Sequence, residues 1–165
     1  VNISFRNEYA AICGFTKDEV ICNFSEHLSE LADNNAITKS ALMDTMSSIY
    51  GGYHFSSGLI GVCNPFSVCN ALANLRLNSY WIASGSNEML LKVLRKFINE
   101  IPELDNCLID SDYLEMSDVN MNDPKLFLYQ FGYLTIKKVV GSSYMLGYPN
   151  REVRNAMLGM SLPNG

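Results

Sequence analysis

The sequence contains few of the residues from which chemical sites are usually built. It has two histidines and five cysteines, and no two cysteines show the C-x-x-C spacing that is typical of zinc sites. It also lacks the G-x-x-x-x-G-K-[ST] motif of a phosphate-binding loop and the G-x-S-x-G motif of α/β hydrolases. These absences predict that the chain carries no catalytic, cofactor-binding or metal-ligating residues, and that it is not itself an enzyme.

Charge and long apolar runs are also scarce. Charged residues make up 18% of the chain, and 12 Lys and Arg against 17 Asp and Glu give a formal net charge of -5. A nucleic-acid-binding protein needs a basic face, so this balance argues against nucleic acid as a partner. No apolar run approaches the roughly 18 residues of a membrane span, so no membrane association is expected. The odd number of cysteines indicates reduced, mostly buried thiols in a cytoplasmic protein.

Apolar and aromatic residues are plentiful. Hydrophobic residues account for 48% of the chain, and nine Tyr with eight Phe argue against intrinsic disorder. A length of 165 residues suits one compact domain or two very small ones. The chain begins at Val1 without an initiator Met and ends without a charged tail, which is typical of a piece of a longer protein.

Helix-starting signals recur in the first two thirds of the chain. Thr16–Glu19 matches a capping box, in which the Thr hydroxyl and the Glu carboxylate satisfy free N–H groups. Thr38 begins a second predicted helix, so that two helices fill most of residues 16–50. Asn64-Pro65 combines an N-cap residue with a first-turn proline and begins another helix. A further helix is predicted over residues 87–99.

Two β-hairpins are predicted. Residues 52–63 are aromatic and glycine-rich and then β-prone, which indicates a short hairpin. Residues 133–140 are β-branched with an alternating pattern, residues 141–143 form a Gly-Ser-Ser turn, and residues 144–148 return as the second strand. This predicted hairpin follows a helix that begins at Asp123-Pro124 and ends before Gly132. A helix followed by such a hairpin is similar to the last helix and wing of a winged-helix domain. The acidic residues 103–122 are predicted to be mostly loop, with one helical turn.

Two groups of side chains leave a functional and a structural interpretation open. Asp110, Asp112 and Glu115 could bind a divalent cation through oxygen ligands, but they also match the cap and acidic first turn of a helix, which is favoured. A set of aromatic residues could form an exposed binding surface, although core packing is the commoner explanation. These residues are Tyr50, Tyr53, Phe55, Tyr80 and Trp81.

Six segments spread over the chain occur together in the order found in one protein family. They are residues 13–20 (CGFTKDEV), 49–55 (IYGGYHF), 63–68 (CNPFSV), 79–87 (SYWIASGSN), 128–137 (LYQFGYLTIK) and 146–154 (LGYPNREVR). On these segments the chain resembles the predicted AAA-ATPase family, the AAA-ATPase-like proteins of bacteria of the Bacteroidetes type. The motif positions that we expect to be structural or to lie at interfaces are Tyr50, Gly52, Tyr53, Phe55, Asn64, Pro65, Trp81, Gly132, Tyr133, Pro149 and Arg151.

The resemblance implies a place within a longer protein. Family members carry a P-loop ATPase core, a middle region and a PD-(D/E)XK nuclease-like domain, and this chain resembles the middle region. ATP and Mg²⁺ are therefore implied for the parent protein and not for this piece. The sequence departs from the family pattern at Gly51, where Asp or Asn is usual, and at Cys63, where Tyr usually precedes Asn-Pro.

The expected fold class is mainly α-helical with short β-hairpins, an α+β fold with a helical AAA-lid-like part followed by a winged-helix-like part. Residues 1–100 would form the lid-like region with its hairpin near 52–63. Residues 101–150 would form the winged-helix-like region with its hairpin at 133–148. Residues 151–165 would begin the linker or helix into a following domain.

The function expected from the resemblance is a non-catalytic lid and linker that couples nucleotide state to the nuclease-like domain. Its partners would be the remaining domains of the parent chain. One alternative is a protein-interaction module that forms homo-oligomers through exposed apolar patches. Another is a winged-helix module that binds nucleic acid, with Lys137, Lys138, Arg151 and Arg154 as its weak candidate contacts.

Overall fold

The structure is a computed structural model that describes residues 5–81, 88–116, 118 and 120–161. Its helices and strands, in chain order, are α1 (Lys17–Asn23), α2 (Ser25–Asn34), α3 (Lys39–Tyr50), α4 (Pro65–Asn74), α5 (Glu88–Lys96), β1 (Cys107–Asp110), α6 (Ser111–Met116), α7 (Pro124–Gln130), β2 (Thr135–Val140), β3 (Ser143–Gly147) and α8 (Arg151–Ser161). The fold is a mixed α+β fold, which confirms the predicted class. Within the described ranges, no helix is long and apolar enough to cross a bilayer.

The predicted helix starts are confirmed, but the first helix is shorter than predicted. The Thr16 hydroxyl accepts a hydrogen bond from the Glu19 N–H at 3.3 Å, and the Glu19 carboxylate accepts one from the Thr16 N–H at 2.8 Å. The helix then breaks at Phe24, whose φ of -122° and ψ of 26° leave the helical region, so three helices and not two occupy residues 16–50. The Phe24 ring packs edge-on against Phe15 with centroids 5.6 Å apart.

Residues 52–63 do not form the predicted hairpin. Tyr53 and Val62 make a single antiparallel bridge, and Cys63 bridges instead to Phe15. Cys63 exchanges two backbone hydrogen bonds with Phe15, at 2.7 and 3.0 Å. Because Cys63 pairs with Phe15 and not with residue 52, only the Tyr53–Val62 bridge remains within residues 52–63.

The C-terminal sheet has three antiparallel strands in the order β1-β3-β2. The hairpin predicted at residues 133–148 is confirmed as β2 and β3, with a bulge between Ile136 and Lys138. The prediction of mostly loop for residues 103–122 was wrong, because this stretch contains β1 and α6. Among the four residues of β1 only Ile109 is buried, and the exposed Leu108 and Asp110 flank it.

Two clusters of buried side chains form the interior. One lies among α1 to α4 and comprises Val20, Leu28, Leu31, Ala32, Leu42, Met43, Met46, Tyr50, Cys63, Val68, Ala71 and Leu72; we call it the helical core. The other lies among α5, α6, α7, the sheet and α8, and we call it the sheet core. Val93 and Leu94 of α5 and Val153 and Met157 of α8 all belong to the sheet core. The sheet core thus combines residues from all three predicted regions, 1–100, 101–150 and 151–165.

Candidate functional site

A buried carboxylate connects elements that are distant in the sequence. Glu152 lies in the first turn of α8 and is only 3% exposed. One of its oxygens accepts a hydrogen bond from the Trp81 backbone N–H at 2.8 Å, and the other accepts one from the Ser67 hydroxyl of α4 at 3.0 Å. We call this arrangement of Ser67, Trp81 and Glu152 the Glu152 junction. It ties α8 to α4 and to the segment that follows α4.

The charge of Glu152 is offset by hydrogen bonds and not by a cation. Among the described residues, no lysine, arginine or histidine forms an ion pair with it. Burial raises the pKa of Glu152 above its usual value, while the donors from Trp81, Ser67 and the Tyr80 backbone act in the opposite direction. The position of Glu152 in the first turn of α8 also favours a negative charge, because the helix dipole is positive at that end.

The residues just before Glu152 fasten α8 to the end of α3. Asn150 caps α8 by accepting a hydrogen bond from the Val153 N–H at 3.1 Å, and its amide donates to the Gly51 carbonyl at 2.9 Å. Gly52 has a φ of +76°, and a Cβ atom at this position would overlap the carbonyl oxygen of Pro149. A glycine is therefore required at position 52 both by its backbone conformation and by this close approach.

Four aromatic motif positions meet beside the junction. The Trp81 ring stacks on Tyr133 with centroids 5.0 Å apart, and it lies nearly perpendicular to the Tyr53 ring with centroids 6.4 Å apart. Tyr53 in turn stacks on Phe55 at 6.2 Å. Gly132, at a φ of +76°, lies under the Trp81 ring, where an added Cβ would come within 3.4 Å of it. Tyr50 is fully buried and donates its hydroxyl to the Asn78 carbonyl at 2.8 Å.

The five aromatic candidates thus divide between two interpretations, core packing and an exposed binding surface. Tyr50 and Tyr53 are buried, whereas Phe55, Tyr80 and Trp81 are half-buried. Burial raises the pKa of both buried tyrosines. The group is therefore a core element with a partly accessible edge, and that edge borders a cavity.

The cavity beside Trp81 has a volume of about 210 Å³ and is largely apolar. Six of the eleven motif positions line it: Tyr53, Phe55, Asn64, Pro65, Trp81 and Gly132. Val62 and Cys63 are the other buried wall residues, and the exposed Cys13 completes the lining. No described lining residue carries a charge. Six of the eleven motif positions therefore meet at one cavity, although they are spread over the sequence.

His54 fastens the segment before this cavity to the sheet. Its backbone N–H donates to the Thr135 hydroxyl at 2.7 Å, and that hydroxyl donates back to the His54 carbonyl at 3.0 Å. Its Nδ1 lies 3.0 Å from the Ile136 carbonyl and must carry the proton, because a carbonyl oxygen only accepts. Burial lowers the pKa of His54. These contacts are structural, since they satisfy the backbone N–H and carbonyl of His54 and the Ile136 carbonyl of β2.

The four candidate nucleic-acid contacts, Lys137, Lys138, Arg151 and Arg154, differ in what surrounds them. The Lys137 amine donates to the Pro149 carbonyl at 3.3 Å, and burial lowers its pKa. The Arg154 guanidinium pairs with Asp105 at 3.4 Å. Lys138 and Arg151 are exposed. Two of the four cations thus make contacts inside the protein.

The remaining candidate groups are also placed by the structure. The Asp110 carboxylate accepts the Tyr113 N–H at 2.9 Å, as the helix-cap interpretation predicted, while the Tyr144 hydroxyl donates to Glu115 at 2.5 Å. The described residues contain no group of three or more His, Cys, Asp or Glu side chains placed to hold a metal ion. All five cysteines are free thiols, but the prediction that they are mostly buried was wrong, because Cys13, Cys22 and Cys69 are exposed.

Two of the three junction residues, Ser67 and Glu152, were missed by sequence reasoning, whereas Trp81 was identified as a motif position. The one available signal was that Ser67 falls in the motif segment 63–68 and Glu152 in the motif segment 146–154. Nothing local indicates that a first-turn glutamate is buried against a serine 85 residues away.

The chain has a distant relative among known proteins. The chain is 27% identical over 160 residues to an uncharacterized protein in the vnfD 5′ region of Azotobacter chroococcum mcd 1. The match covers 94% of this chain and 29% of that protein, so the chain spans less than a third of the relative's length. No family model and no solved structure matches the chain.

Proposed function

We propose that this chain is a non-catalytic coupling module of an AAA-ATPase-like protein. In this role it joins a lid-like helical part to a winged-helix-like part and passes nucleotide-dependent movement from an ATPase core to a nuclease-like domain. The observation that carries the proposal is the Glu152 junction. Its carboxylate holds α8 of the sheet core to α4 of the helical core, so a displacement of either part is resisted by the other.

Two further observations support the proposal. The order of elements from α5 to β3 is helix, strand, helix, helix and hairpin, and the strand order is β1-β3-β2. This arrangement is similar to that of winged-helix domains, which serve as protein contacts as well as nucleic-acid readers. In addition, six of the eleven motif positions line the cavity beside the junction, and one of them, Trp81, belongs to the junction itself. The sequence itself has no phosphate-binding loop.

The proposal is tested by isothermal titration of the chain with Mg-ATP. We expect no saturable heat at millimolar ATP, and micromolar binding would contradict a non-catalytic role. Hydrogen exchange of the Glu152→Ala variant tests the coupling directly. We expect faster exchange in both α4 and the β2–β3 hairpin, whereas faster exchange confined to α8 would show that the two cores are not coupled.

A further inference from the structure

An apolar pocket lies among the first three helices and shares no residue with the Glu152 junction; we call it the α1–α3 pocket. Its volume is about 190 Å³, and its apolar walls are Ile21 of α1, Leu28 of α2 and Met43 of α3. Leu28 and Met43 belong to the helical core, whereas Ile21 is 42% exposed and gives the pocket an accessible side. An apolar cavity of about 150 Å³ accepts benzene, so this pocket has room for an apolar group of roughly six carbon atoms.

The polar residues of the α1–α3 pocket are basic or neutral. They are Lys17, Ser25, Lys39 and Ser40, and all four are exposed. None of the described lining residues carries a carboxylate. The first 50 residues of the chain contain seven Asp and Glu against three basic residues, and two of those three are the lysines of this pocket. The pocket therefore combines apolar walls with a basic rim, in a part of the chain that is otherwise acidic.

Lys39 is the cation of the rim that is left for a ligand. The Lys17 amine pairs with the Asp44 carboxylate at 2.9 Å, whereas Lys39 forms no ion pair with any residue that the structure describes. Lys39 is also the first residue of α3, where the helix dipole adds a positive potential that favours an anion. One unpaired cation balances one negative charge, so the rim fits a ligand with a single anionic group. A phosphate group would bring about two negative charges at neutral pH and fits less well.

We propose that the α1–α3 pocket binds a small aliphatic carboxylate, with its chain against Ile21, Leu28 and Met43 and its carboxylate beside Lys39. The chain gains affinity by removing apolar surface from water, and the described lining contains no aromatic ring that would favour a ring over a chain. A few polar groups at the edge of an apolar pocket are typical of small-molecule sites, because they orient the ligand. The proposal does not depend on the coupling role, because none of these residues belongs to the Glu152 junction.

The test uses ¹H–¹³C spectra of protein labelled at the methionine methyl groups, because Met43 lines the pocket and Met145 of β3 does not. The protein is titrated with hexanoate at neutral pH. We expect a saturable shift of the Met43 methyl with half-saturation in the millimolar range, as suits a ligand of this size, and no shift of Met145. Hexan-1-ol has the chain without the charge and acetate has the charge without the chain, so both should bind more weakly. Binding of either control as tightly as hexanoate, or no saturable shift at Met43, would overturn the proposal.

A matched pair of variants tests the role of the charge. Lys39→Met keeps the aliphatic stem and should weaken hexanoate binding about twofold to fivefold, the range of an exposed ion pair, while hexan-1-ol binding stays unchanged. Lys92→Met removes an exposed lysine of α5 that does not line the pocket and should have no effect. Equal hexanoate binding by the two variants would overturn the proposal. If Lys39→Met fails to fold, the wild type decides, because its hexanoate binding must weaken with added salt. Hexanoate binding that does not depend on salt would also overturn the proposal.

Discussion

Replacing Glu152 with alanine is expected to lower the free energy of unfolding by about 3 kcal/mol or more. The substitution removes the carboxylate that accepts from the buried Ser67 hydroxyl and from the partly buried Trp81 N–H, and the loss of each hydrogen bond costs about 1 to 3 kcal/mol. The lost methylene groups leave a cavity that adds to this cost. Ser67→Ala removes one donor to the carboxylate and should cost about 1.5 to 3 kcal/mol.

Glu152→Gln is the matched control. The glutamine oxygen can accept from the Trp81 N–H, and its NH₂ group can donate to the Ser67 oxygen, because a hydroxyl both donates and accepts. The shape of the side chain is kept, and the buried charge is removed. We therefore expect this variant to lie within about 1 kcal/mol of the wild type at neutral pH.

The free energies of unfolding of the wild type and of Glu152→Gln should depend differently on pH, because the pKa of Glu152 is raised in the folded protein. Because burial raises this pKa in the folded state above 4.5, the native protein holds the proton more tightly than the unfolded chain does. The protonated Glu152 carboxyl therefore contributes its full stabilisation below pH 4.5. This contribution is lost as the pH rises through the raised pKa that Glu152 has in the folded state. Stability should therefore shift in favour of Glu152→Gln, relative to the wild type, as the pH increases from about 4 to about 7.

Urea unfolding measures these effects, with Trp81 fluorescence reporting on the junction and far-ultraviolet circular dichroism on the helices. The two transitions should coincide in the wild type and separate in Glu152→Ala. A loss below about 0.5 kcal/mol in Glu152→Ala would refute the reasoning. Equal effects of Ser67→Ala in the wild-type and Glu152→Ala backgrounds would refute it too, because residues in direct contact should show coupling.

Two other substitutions test features that position the junction. Gly52→Ala should cost at least about 2 kcal/mol in thermal or urea unfolding, because its methyl group would overlap the Pro149 carbonyl, whereas Gly141→Ala, with a φ of +60° and no neighbour within 4 Å, should cost only about 1 kcal/mol. Equal costs would show that conformation alone requires glycine at position 52. Asp123→Ala should cost about 0.5 to 2 kcal/mol, because the carboxylate caps two N–H groups at the start of α7, and Asp123→Asn should keep most of that stability. A similar loss in both variants would indicate that the capping bond contributes little.

The parts of the fold that could be predicted are those with local causes. Capping at Thr16, Thr38, Asn64 and Asp123 depends on residues within three positions along the chain, and each of these helix starts is found where the sequence places it. The β2–β3 hairpin is likewise formed by neighbouring residues around a short turn. These elements can be predicted because the residues that stabilise them are neighbours in the sequence.

The parts that could not be predicted depend on distant partners. β1 becomes a strand because Cys107 lies opposite Leu146, whereas its sequence, Cys-Leu-Ile-Asp, has three apolar residues in a row and no apolar–polar alternation. Residues 52–63 look like a hairpin locally, but Cys63 pairs with Phe15 from the start of the chain. The burial of Glu152 depends in the same way on Ser67. A single sequence shows the polar residue at each position but not the environment that the fold supplies.

The two cores also occupy successive parts of the chain, and this sets the order in which they can be completed during synthesis. Every residue of the helical core lies between Val20 and Leu72, while the sheet core extends to Met157. At roughly 5 to 20 residues per second, the ribosome needs several seconds to make the residues between these two endpoints. The helical half can therefore fold first, and Ser67 remains without its acceptor until α8 emerges. A chain that is cut short before Glu152 would lack α8, and with it the acceptor of the Ser67 hydroxyl.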